Sequence, residues 1–282
     1  MVFYSRTGLT VLCNKAGGFS VSRLAVHKDK IPSIIFLFVA LISWEGLVRF
    51  LDLPPFLLPG PINVLRELYF GLAGGVFLVH TWVTFQEIIA GFVLGVGIGF
   101  ILGVLISEIR IVEQTIYPYV VALQALPKMA IAPLFVIWFG FGITSKIVIT
   151  ALVALFPVLV NVIVGLQTVD AKQLDLMNAL NGSKWQTFRM CKLPSALPII
   201  FAGLEIAIVL AVIGAIVGEF VGAEAGLGYL ILLLNFKLQI ATVFAVLIIL
   251  SLIGVLLHYL VRLSGKKIVF WVGEEKRVVI GG

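Results

Sequence analysis

"AKQLDLMNALNGSKWQTFRMCKLPSALP", residues 171–198, lies between two of the most apolar runs of a 282-residue chain and carries four cations, Lys172, Lys184, Arg189 and Lys192. Leu174, Met177 and Leu180 recur in it at helical spacing, as do Trp185, Phe188 and Cys191 or Lys192, which predicts two short amphipathic helices. Between them stands "NGS": Asn181 and Gly182 tolerate positive φ better than other residues, and Ser183 can cap the second helix. Two readings stay open on these residues alone. The segment is a helical hairpin lying on a membrane face, or it is a docking element, an aromatic and basic knuckle held at a fixed distance from the bilayer for a cytoplasmic protein to push on.

The flanking runs establish the membrane. The chain is 61% hydrophobic and 12% charged, with a mean hydropathy of +1.17, against about 25% charged residues in a soluble domain. A helix crossing the hydrocarbon core needs about 20 apolar residues. The sequence offers six such segments, 31–51, 82–106, 114–139, 144–166, 196–221 and 240–263. The expected fold class is therefore all-α integral membrane, with six transmembrane helices. Residues 1–30 contain no compact apolar stretch followed by a small-residue cleavage site, so they read as a cytoplasmic N-terminal tail. Residues 31–265 form the six-span domain, with the polar island at 171–194, and 266–282 form a C-terminal tail.

Cation placement orients the spans. With both termini inside, the tail (Arg6, Lys15, Arg23, Lys28, Lys30), Arg110, the four island cations and Arg262, Lys266, Lys267, Lys276 and Arg277 are cytoplasmic, which places fifteen of the twenty Lys and Arg inside. Arg49, Arg66, Lys128, Lys146 and Lys237 fall in outer loops or within spans. The net charge of +6 is thus topological, and nucleic acid is not an expected partner. Cys13 and Cys191 lack metal-ligand spacing and face a reducing compartment, and His27, His80 and His258 are isolated, so neither a disulfide nor a metal site is expected. The first outer loop, "LDLPPFLLPGPINVLRELYFGLAGG" (51–75), predicts a short amphipathic helix opening at Pro61 on the lipid surface.

Charged groups inside spans require a partner, a water-filled path or a function. Glu87, Lys128, Glu205 and Glu219 qualify. At 1.5 Å per residue Glu87 is expected about 8 Å below the outer end of its span and Lys128 about 16 Å below that of the next. Glu87, Lys128 and Glu219 are candidates for the translocation path; the competing reading is a structural ion pair such as Lys128 with Glu87. Glu205 has no assigned role, and Glu45 with Arg49 reads as a local pair. Gly91, Gly95, Gly99 and Gly103, spaced by four, predict a helix-packing seam within the subunit. Pro127 and Pro133 both interrupt the third span, which predicts a kink, with Lys128 at it, where the helix faces protein or water.

"DLMNALNGSKWQTFRMCKLPSALP" (175–198) resembles the EAA loop of ABC importer permeases, with Asp175 at the acidic position, Ala179 at a small one, Asn181 at the usual Gly and Leu193-Pro194 as the closing pair. Leu176, Met177 and Asn181 depart from that pattern. "LPPFLLPGPINVL" (53–65), "QALPKMAIAPLFVIWFGFG" (124–142), "FPVLVNVIVGL" (156–166) and "GEFVGAEAGLGYLI" (218–231) resemble, in order, landmarks of the nitrate, sulfonate and taurine branch. "TFQEIIAGF" (84–92) looks most like permeases for thiamine-pyrimidine precursors or riboflavin. The resemblance implies a type I ABC importer transmembrane domain in the cell inner membrane, paired as a homodimer and working with two cytoplasmic ATPases and an external solute-binding protein. It implies that Asp175, Ala179, Asn181, Gly182, Ser183, Lys184, Trp185, Phe188, Leu193 and Pro194 couple to the ATPase, and that ATP and Mg are bound there and no cofactor here. Consistent with this, "GFGITSKI" (140–147) has Ser145 where a phosphate loop needs its second Gly, and Ile147 where it needs Ser or Thr. An ion-coupled secondary transporter would explain intramembrane charges but predicts inverted repeats that are absent and leaves the island without a purpose. A membrane enzyme would need a catalytic constellation that the scattered His residues do not supply.

Overall fold

The computed structural model describes residues 30–271, and these are helical throughout their ordered elements, with no strand among them. Among the described residues five helices are long and apolar enough to cross a membrane, and a bent pair makes six if it is one span. The N-terminal tail lies outside the described residues except for Lys30, which opens the first helix. The C-terminal tail is described only to Trp271.

Helix α1 (Lys30–Phe50) stands apart, its sides exposed, and is tied to the rest where Glu45 accepts from Arg49 Nε at 2.7 Å and from Ile62 N at 3.3 Å. The expected Glu45–Arg49 pair is therefore formed, and the carboxylate also serves the N-terminus of α2 (Pro61–Ala73), the outer amphipathic helix. Gly75, at φ 76°, ends that element and launches α3 (Val76–Glu108), six residues before the expected start.

Three helices form the core. α3 lies against α6 (Ile143–Gln167), and α6 against α9 (Leu193–Gly222). The predicted seam is the contact between the first two: a Cβ on Gly99 would sit 2.7 Å from Leu155 O, and one on Gly103 2.7 Å from Val162 Cβ. Backbone-to-backbone approach of this kind lets helices associate where lipid offers no hydrophobic driving force. The far side of α6 repeats the device, with Gly203 of α9 against Asn161 and Gly214 against Thr150.

The third crossing is broken more sharply than the expected kink. α4 (Arg110–Ala125) ends at Leu126, whose ψ of 138° is the extended conformation forced on a residue preceding proline. A short 3-10 turn, Lys128–Ile131, follows, and α5 (Ala132–Phe139) leaves at 84° to α4. Only Pro127 breaks the span. Pro133 falls in the first turn of α5, where a missing N–H costs no helical bond, so the expectation that both prolines interrupt is corrected.

Two further corrections follow. The second island helix is not separate from the fifth crossing: α8 (Lys184–Thr187) runs through a π-turn, Phe188–Lys192, into α9 as one run of 39 residues. A ten-residue helix that the span count missed, α10 (Leu227–Phe236), follows α9. It folds back on α11 (Ile240–Ile268) through a turn at Leu238, φ 56°. Its Leu227, Leu230, Ile231 and Leu234 bury themselves with Val246 and Leu250 of α11, Val64 of α2 and Phe77 of α3.

Candidate functional site

The island is built as its sequence dictates. Asp170 accepts from Lys172 N at 3.0 Å and so caps α7 (Ala171–Ala179). α7 closes through Asn181 at φ 52°, with Gly182 N donating to Met177 O at 2.8 Å. Asn181 therefore takes the left-handed position, a conformation an L residue with a short polar side chain tolerates. Ser183 and Gln186 form a reciprocal capping box that starts α8.

Its outer face is free. Trp185 is 67% exposed and stacks on Phe188 with ring centroids 5.8 Å apart, and Leu176, Leu180 and Met190 are exposed beside it. Asp175, Ala179 and Lys184 are exposed too, and among the described residues Asp175 makes no hydrogen bond or ion pair. Leu193 and Pro194 do not close the island; they lie inside the continuous helix, where Leu193 N donates five residues back to Phe188 O. The wider π-turn accommodates the donor that Pro194 lacks, and such turns recur at working sites.

The inner face is tied down. Gln173 Oε1 of α7 accepts from Ser195 Oγ of α9 at 3.1 Å, and Lys192 pairs with Glu108 at the end of α3 at 2.8 Å. A force on the aromatic pair is therefore delivered to α9 and α3 and is not absorbed by a loop.

At the other end of the rod the buried charges gather. Glu219, 1% exposed, accepts from Thr84 Oγ1 of α3 at 2.6 Å, from Gly228 N and from Tyr229 N at 3.3 Å. Thr84 in turn accepts from Leu227 N at 2.8 Å, and His80 Nδ1 from Gly226 N at 3.0 Å. The first backbone donors of α10, orphaned by helix geometry, are thus met by side chains of α3 and α9. Glu87, 2% exposed, lies near Glu219, and its Oε2 is buried without a hydrogen-bond partner among the described residues.

Lys146, 1% exposed, donates to Phe141 O, to Gly142 O at 3.0 Å and to Gly222 O, the last residue of α9, beside both carboxyl groups. A cation at a helix C-terminus and an anion at a helix N-terminus complement the helix dipoles. Sequence reasoning counted Lys146 only as an outer or span cation. The turn residues before it, "GFG", disguised a buried position three residues into α6.

Lys128 is not in this cluster, and the ion pair with Glu87 is not formed. Its Nζ donates to Gln124 O at 2.8 Å and lies 4.5 Å from the centre of the Phe156 ring. Glu205, left without a role by the sequence, faces His258 of α11 at 3.9 Å. Among the described residues no group of three or more His, Cys, Asp or Glu is placed to hold a metal ion.

Comparison with known proteins supplies the family. Residues 95–270 match the model of the binding-protein-dependent transport system inner membrane component. The chain is 34% identical over 237 residues to the riboflavin transport system permease protein RibX of Chloroflexus aurantiacus, covering 84% of this chain and 88% of that one. It is 38% identical over 225 residues to the formylaminopyrimidine transport permease protein ThiX of Halalkalibacterium halodurans, covering 80% and 89%. To the putative aliphatic sulfonates transport permease protein SsuC of Bacillus subtilis it is 32% identical over 241 residues, 86% of each. The fold is that of solved importer membrane domains: an inward-facing MetNI methionine ABC transporter aligns with TM-score 0.56 at 23% identity over 68% of this chain and 94% of that one. An amino acid ABC transporter aligns with TM-score 0.57 at 17% identity, over 73% and 98%. A helical bundle with five or six crossings and a fastened polar knuckle, matched over most of its length, belongs to the binding-protein-dependent inner membrane components, the permease subunits of ABC importers.

Proposed function

We propose that two copies of this chain form the route of an ATP-driven importer in the cell inner membrane, with both termini cytoplasmic. Each copy engages one ATPase through the island, and an external binding protein delivers the solute. The observation that carries this reading is the exposed Trp185–Phe188 pair at the head of an uninterrupted 39-residue helical run. At 1.5 Å per residue that run is about 58 Å long. ATP and Mg belong to the partner subunit, and each copy has one knuckle, so a dimeric ATPase calls for two copies. Riboflavin, formylaminopyrimidine and sulfonate permeases among the relatives make a small vitamin, a vitamin precursor or a sulfonate the solute class.

The coupling residues act through the island's outer face, Asp175 by hydrogen bonding to the ATPase and Trp185 by seating in a pocket on it. Glu87 and Glu219 border the outer end of the route, where with Lys146 they hold α10, and Lys128 faces the route at mid-depth.

Co-purification of the ATPase and solute-stimulated ATP hydrolysis in the reconstituted complex test the island. Trp185→Ala is expected to weaken ATPase association by about 2 kcal/mol or more, as truncation of a buried aromatic anchor does. Asp175→Ala is expected to cost about 1–3 kcal/mol through loss of a charged hydrogen bond. Full association and full stimulation in both variants would leave the island as a membrane-surface hairpin.

A further inference from the structure

Lys128 lies against the middle of α6. Its ammonium stacks on Phe156, which lies 13 residues from the start of α6 and 11 from its end, about 20 Å and 17 Å along that helix. It also sits where the third crossing is broken, with Leu126, Pro127, Met129 and Ala130 exposed around it. Non-helical backbone at this depth is tolerated only when it is buried in protein or lines a water-filled cavity. This backbone is not buried by the described residues.

The other described intramembrane cation has its donors answered: Lys146 is held by three carbonyls, with Glu87, Glu219 and Glu224 near it but beyond ion-pair distance. Lys128 spends one of its three N–H donors on Gln124 O, and among the described residues no carboxylate lies within ion-pair distance of it. The Phe156 ring beneath it supports the cation on one face and leaves the other open.

Resting on the permease reading above, we propose that Lys128 is the specificity-determining residue of the route and that it selects solutes carrying an anionic oxygen group, a sulfonate, carboxylate or phosphate. A lone cation at a wet constriction repels cations and offers two free donors to an anion, which is how basic side chains select anions in pores. The residue also explains why the break is placed here, since an unbroken helix would present Lys128 to a dry neighbour at a cost of several kcal/mol.

A charged thiol reagent tests the potential without knowledge of the solute. In a complex with its ATPase, held in lipid nanodiscs and with Cys13 and Cys191 replaced by Ser, Met129→Cys places a reporter beside Lys128. Labelling rates are then compared for the anionic ethylsulfonate and the cationic trimethylammonium-ethyl methanethiosulfonates, with and without ATP. Both reagents should reach the sulfur in at least one nucleotide state, the anionic one about tenfold faster, the bias one unit charge some 6 Å away exerts on reagents of opposite sign in water. Lys128→Met should abolish that bias and Lys128→Arg should keep it, with ATPase co-purification unchanged in all three backgrounds. Absence of labelling by either reagent in both states, or a bias that persists in Lys128→Met, overturns the proposal. Loss of ATPase co-purification from the reporter protein with Lys128 intact would count against the permease reading instead.

Discussion

Two lysines inside the membrane show what burial does to one residue type. Lys146 is packed where the start of α6 meets the end of α9, its three donors taken by carbonyls, with Glu87 and Glu219 near it. Lys128 stands at the broken centre of the third crossing, half-buried, with one carbonyl and one aromatic face. The first is complete within its own chain and holds three elements together. The second has only those two contacts among the described residues, and a charge inside a membrane requires a partner, water or a function. The same contrast runs along the helical run of α8 and α9, whose start offers an exposed stacked pair while its end is closed by hydrogen bonds.

The comparison breaks first at Lys146. Lys146→Met leaves Phe141 O, Gly142 O and Gly222 O without their shared donor, at a cost of about 1–3 kcal/mol for each buried group left unpaired. The expected outcome is loss of monodisperse protein at ordinary temperature, read by size-exclusion chromatography and thermal unfolding in detergent. Glu219→Gln in the same chain should restore part of it, because neighbouring charges do not add. A Lys146→Met protein as stable as its parent would remove the distinction between the two lysines.

Thr84→Val is expected to have a smaller effect. It deletes the donor to Glu219 and the acceptor for Leu227 N while keeping the side-chain shape, at a cost of about 1–3 kcal/mol for groups left unpaired in a buried site. The loss should localise to α10, seen as faster amide exchange over 227–236 with α6 unchanged. Uniform acceleration throughout the bundle would mean that the network holds the whole fold and not this helix.

The smallest effect on stability belongs to Lys128→Met, within about 1 kcal/mol, since a partly exposed cation–π contact and one carbonyl bond are all it surrenders. Unfolding temperature should barely move while uptake in proteoliposomes falls. Equal losses of stability in Lys128→Met and Lys146→Met would make both lysines structural.

Much of this was legible locally. Apolar run length located the crossings, the four-residue glycine spacing located the α3–α6 seam, and "NGS" specified a turn with Asn181 left-handed and Ser183 as cap. Pro127 placed the break, though not its 84° angle, which depends on how α5 finds α6 and α9. α10 escaped because ten apolar residues cannot cross a bilayer, and its N-terminus is capped by residues more than 140 positions away.

What the chain determines by itself is therefore what neighbouring residues decide between them: hydrophobic length, helix start and stop, and turn sign. Tertiary structure decided which charges meet. Lys146 and Gly222 are 76 residues apart and Thr84 and Glu219 135 apart, and no local pattern encodes either distance. Burial in a dry core then separates two lysines that look alike in sequence, because the cost of an unanswered charge is set by everything around it in space and by nothing beside it in the chain.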